Sequence, residues 1–408
     1  MNIKKQKWTA FIILTIAAGL IYRVPYLKTV FYDPLINGFN LTNAQVGSYM
    51  SVYSLTKTVI YIPGGILADR FDNRKMLVFS TMLLAVLTFW YAAIPSLTAL
   101  KIIHFLLAFS NVIFWVSFVK AIRLFGSEDE QGSVFGYSEG IRAVVGLLIN
   151  FAALGILNYF IAAVQPLRYV LSFYGVVYLI LGIAMWFVLP KERSENATAT
   201  SIQDYINVLK VPGVWMVAFL VLAAYSVQVA SEYTTPYLTT VFGMSAVTSG
   251  IIATIRSYGI GIFSAPIIGK ISDKVGSYSK TIIALFIIEI ILATVLLLLP
   301  GNSNILIAAI ITVLAFATVM YAIRGIYYAT MGEAKVPVAL TGTATGIISV
   351  IGYLPDAYMN VMLGGFIDQY PGAKGFKFVF GSIIIFASIG IVLGLIIYFR
   401  NRKLTATE

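Results

Sequence analysis

The 408-residue chain has no cysteine and a single histidine, His104. Without thiols there is no disulfide, no thiolate metal site and no thiol nucleophile. One histidine with no His/Cys cluster leaves no dedicated transition-metal centre. Charge is almost as scarce. Asp, Glu, Lys and Arg make up 11% of the chain, against about 25% in soluble domains. A chain so poor in charge cannot cover itself in water. The sequence also lacks a phosphate-binding loop of the Gly-x-x-x-x-Gly-Lys-Ser/Thr type, a Gly-x-Ser-x-Gly elbow and a His-Glu-x-x-His pair. These absences argue against ATP coupling, against a cofactor and against an enzyme.

Apolar residues fill the space instead, at 59% of the chain. A membrane-crossing helix needs roughly 20 of them in a row. Twelve candidate spans can be read, near 8–32, 43–66, 76–95, 98–124, 135–160, 169–190, 213–238, 247–271, 280–299, 304–330, 341–368 and 378–400. Runs such as Thr281–Pro300 can only be helical in lipid, because an open strand leaves its backbone groups unpaired there. The expected class is therefore an all-α multi-pass membrane protein. The basic start, MNIKKQKW, is followed by an apolar run with no small-residue cleavage site, so it is read as a retained first helix.

The net charge of +11 would suggest nucleic acid in a soluble protein, but its placement argues for membrane topology instead. Lys4, Lys5, Lys7, Arg70, Arg74, Lys75, Arg123, Lys191, Arg193, Lys210, Lys270, Lys274, Lys280, Lys335, Arg400, Arg402 and Lys403 fall in one set of connecting segments. Lys28, Lys101, Arg168, Lys374 and Lys377 fall in the other. The positive-inside bias then places both termini in the cytoplasm, with the bacterial inner membrane as the expected location. The lipid bilayer is the implied partner and nucleic acid is not.

The chain reads as two halves. Residues 1–190 and 213–408 each hold six spans, and the polar stretch 191–212 is read as a cytoplasmic linker. Pro25-Tyr26-Leu27-Lys28-Thr29-Val30-Phe31 recurs as Pro236-Tyr237-Leu238-Thr239-Thr240-Val241-Phe242. Gly65-Ile66-Leu67-Ala68-Asp69-Arg70 recurs, half the chain away, as Gly269-Lys270-Ile271-Ser272-Asp273-Lys274, and at the same offset Lys120 falls on Arg324. Such agreement implies duplication. Parallel six-helix repeats imply a pseudo-two-fold axis along the membrane normal and a site between the halves.

The segment Gly65-Ile66-Leu67-Ala68-Asp69-Arg70-Phe71-Asp72-Asn73-Arg74-Lys75 resembles the signature loop of the major facilitator superfamily, Gly-x-Leu-Ala-Asp-Arg-x-Gly-Arg-Arg/Lys, and lies between spans 2 and 3 as in that family. It departs at Asp72 and Asn73; the second copy keeps Gly276 at the position of Asp72. The resemblance implies twelve helices in two pseudo-symmetric six-helix bundles and transport of a small molecule by alternating access. It also implies a conformational gate at Gly65, Asp69, Arg70, Arg74 and Asp273. A carboxylate there could face the positive N-terminal end of a neighbouring helix, and span 11 is the partner implied for Asp69. The alternative is that these charges are only topology anchors.

Ten ionisable residues fall inside spans: Arg23, Lys57, Lys120, Arg142, Arg256, Arg324, Glu139, Glu232, Glu289 and Asp356. Each costs at least ~2.5–3.5 kcal/mol at a helix centre unless it faces a cavity or a partner. Ten together imply a hydrated route, and six basic against four acidic make it electropositive. Arg offers a bidentate fork to carboxylate, phosphate or sulfonate. Arg23, before Pro25, is the leading anchor on this reading, with a bridge to Asp33 as the alternative. Tyr53, Lys57 and Tyr61 share one helix face. They are similar to the Tyr-x-x-x-Lys pair of the organophosphate:phosphate antiporter branch, although that branch's register would put its Lys at Tyr61. Lys120, Arg256 and Arg324 complete the substrate-binding candidates. Glu139, Arg142, Glu232 and Asp356 are candidates for proton coupling or structural ion pairs. Pro355 predicts a break in span 11 beside Asp356. His104 is expected to be a packed side chain, and Glu289 structural or at the lipid boundary.

The expectation is a monomeric secondary transporter of a small organic anion, driven by proton symport or by exchange with a counter-anion. Polyspecific efflux of hydrophobic cations would favour an acidic cavity. A non-transporting receptor on the same fold would be expected to add a signalling tail, and the segment after span 12 is eight residues, Asn401–Glu408.

Overall fold

The computed structural model describes residues 3–123, 125, 131–190, 207–337 and 341–405; within them, the side chains of 3–6, 62–70, 120, 123, 131–136, 139, 265–266, 303, 341–343 and 404–405 lie outside the description. The described residues form helices and connecting turns. They are α1 (Ile3–Leu20), α2 (Tyr32–Phe39), α3 (Asn43–Arg70), α4 (Asn73–Ala92), α5 (Leu97–Arg123), α6 (Gln131–Tyr159) and α7 (Pro166–Val188). They continue as α8 (Pro212–Ser231), α9 (Thr234–Phe242), α10 (Ala246–Thr254), α11 (Ile260–Val275), α12 (Tyr278–Leu298), α13 (Leu306–Ile326), α14 (Thr330–Glu333), α15 (Thr341–Gly352), α16 (Pro355–Gln369) and α17 (Ala373–Thr405).

Ten stretches among the described residues are long and apolar enough to cross a membrane. The first helix and the 28-residue α3 occupy the two remaining span positions. Large apolar side chains are exposed along these helices, including Phe187 at 76% and Ile307 at 73%. In a bilayer that exposure costs nothing, since lipid tails are as apolar as the side chains.

The chain divides into two compact units, residues 1–198 and 199–408. In the first, the pairings include α4 on α7, α3 on α5 and α1 on α6. In the second they include α12 on α17, α11 on α13 and α8 on α15. Numbered by span, the pairs are 3–6, 2–4 and 1–5, then 9–12, 8–10 and 7–11. The two halves therefore repeat in contact pattern as well as in sequence. Small residues make the close approaches possible. A Cβ on Gly390 of α17 would overlap the Phe286 ring of α12, and one on Gly146 of α6 would overlap the Arg23 guanidinium.

Several spans are interrupted, three of them beside a proline. The first ends as a regular helix at Leu20 and continues as turns through Tyr26, with Pro25 buried within them. The seventh breaks at Glu232–Tyr233, ahead of Pro236, which cannot donate to the ladder. The eighth contains a π turn, Ile255–Gly259. The eleventh breaks at Tyr353–Leu354, where Pro355 opens α16. The signature-loop departures also have a structural role. Asp72 is the N-cap of α4, its Oδ1 accepting from the Lys75 amide at 2.9 Å. Gly276 takes φ +71° after α11, a conformation that suits glycine.

Candidate substrate sites in the two units

The first unit gathers its cations around aromatic rings. Lys57 Nζ donates to the Tyr26 hydroxyl at 3.3 Å and lies 5.9 Å and 5.6 Å from the centroids of Tyr26 and Tyr53. Tyr53 is buried, and its hydroxyl accepts from Asn111 Nδ2 at 2.9 Å. The Arg142 guanidinium sits 4.8 Å from the Trp115 ring and 5.9 Å from Phe118. Tyr22 joins the two cations, with ring centroids 6.4 Å from Tyr26 and 6.0 Å from Trp115. Its hydroxyl also hydrogen-bonds Tyr61. A ring face carries negative quadrupole density, worth about 0.5–2 kcal/mol to a cation. Lys57 is half-buried and forms no ion pair among the described residues. The structure thus brings together Tyr22, Tyr26, Tyr53, Lys57, Tyr61 and Arg142 and adds Asn111 and Trp115. The side chains of Lys120 and Glu139 lie outside the described residues.

Arg23 has a partner on its own span. Its Nε and Nη2 both donate to the Gly19 carbonyl, at 3.1 and 2.9 Å. That pair of donors is the fork a carboxylate or phosphate would take. Its guanidinium passes over Gly146, so its edge is turned back onto its own helix. His104 is fully buried against the Tyr49 ring at 4.2 Å, with Nδ1 2.8 Å from the Leu100 carbonyl.

In the second unit a tyrosine cluster surrounds Arg324. Arg324 is exposed within its span, 5.9 Å from the Tyr321 ring centroid, and forms no ion pair among the described residues. Tyr225, Tyr327 and Tyr353 also lie within electrostatic range of it. The hydroxyls of Tyr327 and Tyr328 are each 3.3 Å from that of Tyr353, and Tyr328 pairs with Ser349 Oγ at 2.8 Å. Asp356 is buried in the first turn of α16, and its carboxylate accepts from the Tyr225 hydroxyl at 2.7 Å. That position places a negative charge at a helix N-terminus, where the dipole favours it.

Arg256 is buried on the π turn. Its Nη1 donates to the Ser231 carbonyl and, at 3.1 Å, to Thr234 Oγ1. Glu232, half-buried at the end of α8, is within electrostatic range of it. Glu289 is 1% exposed inside the second unit rather than at a lipid boundary, and neither carboxylate oxygen has a hydrogen-bond partner among the described residues.

The gate candidates separate. Gly65, Asp69 and Arg70 end α3, and their side chains lie outside the described residues. Arg74 donates to the Trp186 carbonyl near the end of α7 and stacks on the Trp186 ring at 4.6 Å. It therefore caps a helix C-terminus within its own unit. Asp273 is exposed and accepts from the Tyr278 hydroxyl at 2.7 Å. A second carboxylate of this unit, Glu333, meets the N-terminus of another helix, α12, and is a residue the sequence reading did not single out. It accepts from the Ser279 amide at 3.0 Å, from the Tyr278 amide and from the Ser279 hydroxyl. The signal available was an acidic residue in a short polar segment after span 10, which no local pattern distinguishes.

Two helical units, broken helices and charges buried in apolar segments are the features of a multi-pass membrane protein with a polar interior. The family model of the Major Facilitator Superfamily matches residues 9–359, and the chain belongs to that family. It is 29% identical to "Inner membrane protein YihN" of Escherichia coli (strain K12), with 99% of each chain covered. It is 27% identical to "Inner membrane protein YqcE" of the same organism, covering 91% of this chain and 90% of that one. Among solved structures, a bacterial homolog of the human lysosomal transporter Spinster, inward-facing and unoccupied, superposes with a TM-score of 0.79 at 16% identity, covering 98% of both chains. The nucleoside transporter NupG gives 0.74 at 14% identity, covering 98% of both chains. At these identities the structural likeness speaks to the fold.

Proposed function

We propose that the protein is a secondary active transporter that moves a small organic anion by alternating access. The observation that carries this is an excess of positive charge at the span positions that are not fully buried among the described residues, Arg23, Lys57, Arg142 and Arg324 against Glu232. Arg324 is exposed in its span, and Lys57 and Arg142 are half-buried on ring faces. Asp356 and Glu289 are buried, and Asp356 is engaged by Tyr225. Each unit therefore presents cations beside tyrosine rings or hydroxyls at positions that are not fully buried. An anion gains charge-assisted hydrogen bonds there, whereas an organic cation would be repelled. Efflux of hydrophobic cations fits this distribution poorly.

Glu139, Glu232 and Asp356 are the candidate carboxylates for a coupling proton; exchange with a second anion needs none of them. The likeness to two inner-membrane proteins supports the same location here, with both termini and residues 191–212 on the cytoplasmic side by the positive-inside rule. A thermal-shift screen of the detergent-purified protein tests the reading. Carboxylates, phosphates or sulfonates should raise the melting temperature, and uptake into proteoliposomes should follow the same ranking. A preference for cationic dyes would overturn it.

A further inference from the structure

We propose that Arg256 holds an occluded binding site for an oxyanion group, the carboxylate or its phosphate or sulfonate equivalent, within the second unit. The inference rests on the anion reading above and names the residue that would grip the acid group. Arg256 is 2% exposed, and its Nε and Nη2 have no hydrogen-bond partner among the described residues. These two atoms form the edge of the guanidinium that meets two oxygens side by side. Leaving such donors unpaired inside a protein is costly, and in native structures it points to a missing water, ion or ligand.

The opposite end of the side chain is fixed. Nη1 bonds the Ser231 carbonyl, the last residue of α8, and Thr234 Oγ1, the first of α9. The charge therefore rests against the negative end of a helix, which partly offsets its burial. The π turn Ile255–Gly259 sets this aim, since one inserted residue rotates the side chains that follow. The Tyr321 hydroxyl holds that turn through the Ser257 carbonyl at 3.0 Å. The fork is thus oriented at both ends, and one edge is buried without a hydrogen-bond partner among the described residues. Arg23 is the opposite case, its edge already closed by Gly19.

Glu232 lies within electrostatic range of Arg256. A carboxylate in that position repels an incoming anion and competes for the edge. Removing its charge should therefore tighten binding.

The test compares melting temperatures in detergent for wild type, Arg256→Lys, Arg256→Gln and Glu232→Gln, titrated with sodium acetate, methanesulfonate or inorganic phosphate against chloride at equal ionic strength. Wild type should show a saturable rise with at least one oxyanion. Arg256→Lys keeps a cation beside Ser231 and loses the fork, so its half-saturating concentration should rise at least tenfold. Arg256→Gln should abolish the effect, and Glu232→Gln should lower the half-saturating concentration several-fold. A crystal soaked in selenate should show anomalous density at the Nε/Nη2 edge, a readout independent of whether the variants fold. A saturable wild-type response that survives both Arg256 variants would overturn this site and leave the anion reading standing. Stabilisation by organic cations alone would overturn both, and an empty edge in selenate would overturn the site directly.

Discussion

Replacing Arg324 with glutamine distinguishes a ligand-binding cation from a structural one. Arg324 is exposed in its span and forms no ion pair among the described residues. Its removal therefore leaves no carboxylate unpaired among the described residues, a loss that would cost about 3–5 kcal/mol for a buried pair. What disappears is one contact with the Tyr321 ring, worth about 0.5–1 kcal/mol at an accessible site. Folding stability should stay within roughly 1 kcal/mol of wild type. Binding is a separate matter. A hydrogen bond to a charged group contributes about 1.5–3 kcal/mol, and each 1.4 kcal/mol is about tenfold in affinity. Arg324→Gln should then weaken anion affinity by about 10- to 150-fold. The assay is the thermal-shift titration on monodisperse detergent-purified protein, with proteoliposome uptake as the second readout. Arg324→Lys should recover part of the affinity by restoring the charge without the fork. Unchanged affinity in a well-folded Arg324→Gln protein would refute the reasoning. Loss of folding would refute it as well, because it would mean that a carboxylate depends on Arg324.

Glu333→Ala removes three acceptor contacts from the N-terminus of α12, while the Ser277 cap remains. Because the site is partly solvated, a loss of about 1–2 kcal/mol in thermal unfolding is expected, with Glu333→Gln retaining part of it. Gly146→Ala should displace Arg23 from the Gly19 carbonyl and destabilise by about 1–3 kcal/mol. Arg23→Ala in the same chain should relieve most of that loss, and purely additive effects would rule out the contact. Tyr225→Phe leaves the buried Asp356 carboxylate short of a donor, so it should cost about 1–3 kcal/mol in stability. If its pH profile of transport matches that of wild type, Asp356 takes no part in proton coupling.

The sequence alone determined the class and pointed to twelve spans and a duplication. Each span must by itself satisfy its backbone and match the thickness of the bilayer, so the constraint is written locally, residue after residue. The breaks beside Pro236 and Pro355 were legible for the same reason, since a missing amide acts on its own turn. The repeat was legible because both halves kept the same short segments, and the matching helix pairings in the two units agree with it. The use of each charge was decided only by the tertiary structure. Arg23 and Arg256 are both span arginines beside a break, yet one closes its fork on Gly19 and the other leaves its fork open. Arg74 lies in the signature loop but binds the end of α7, more than a hundred residues away. Glu289 has the composition of a lipid-boundary residue and is buried. Partner choice of this kind depends on which helix faces meet and how each side chain leaves its backbone. Those directions are set by packing between elements distant in sequence, which no local pattern records.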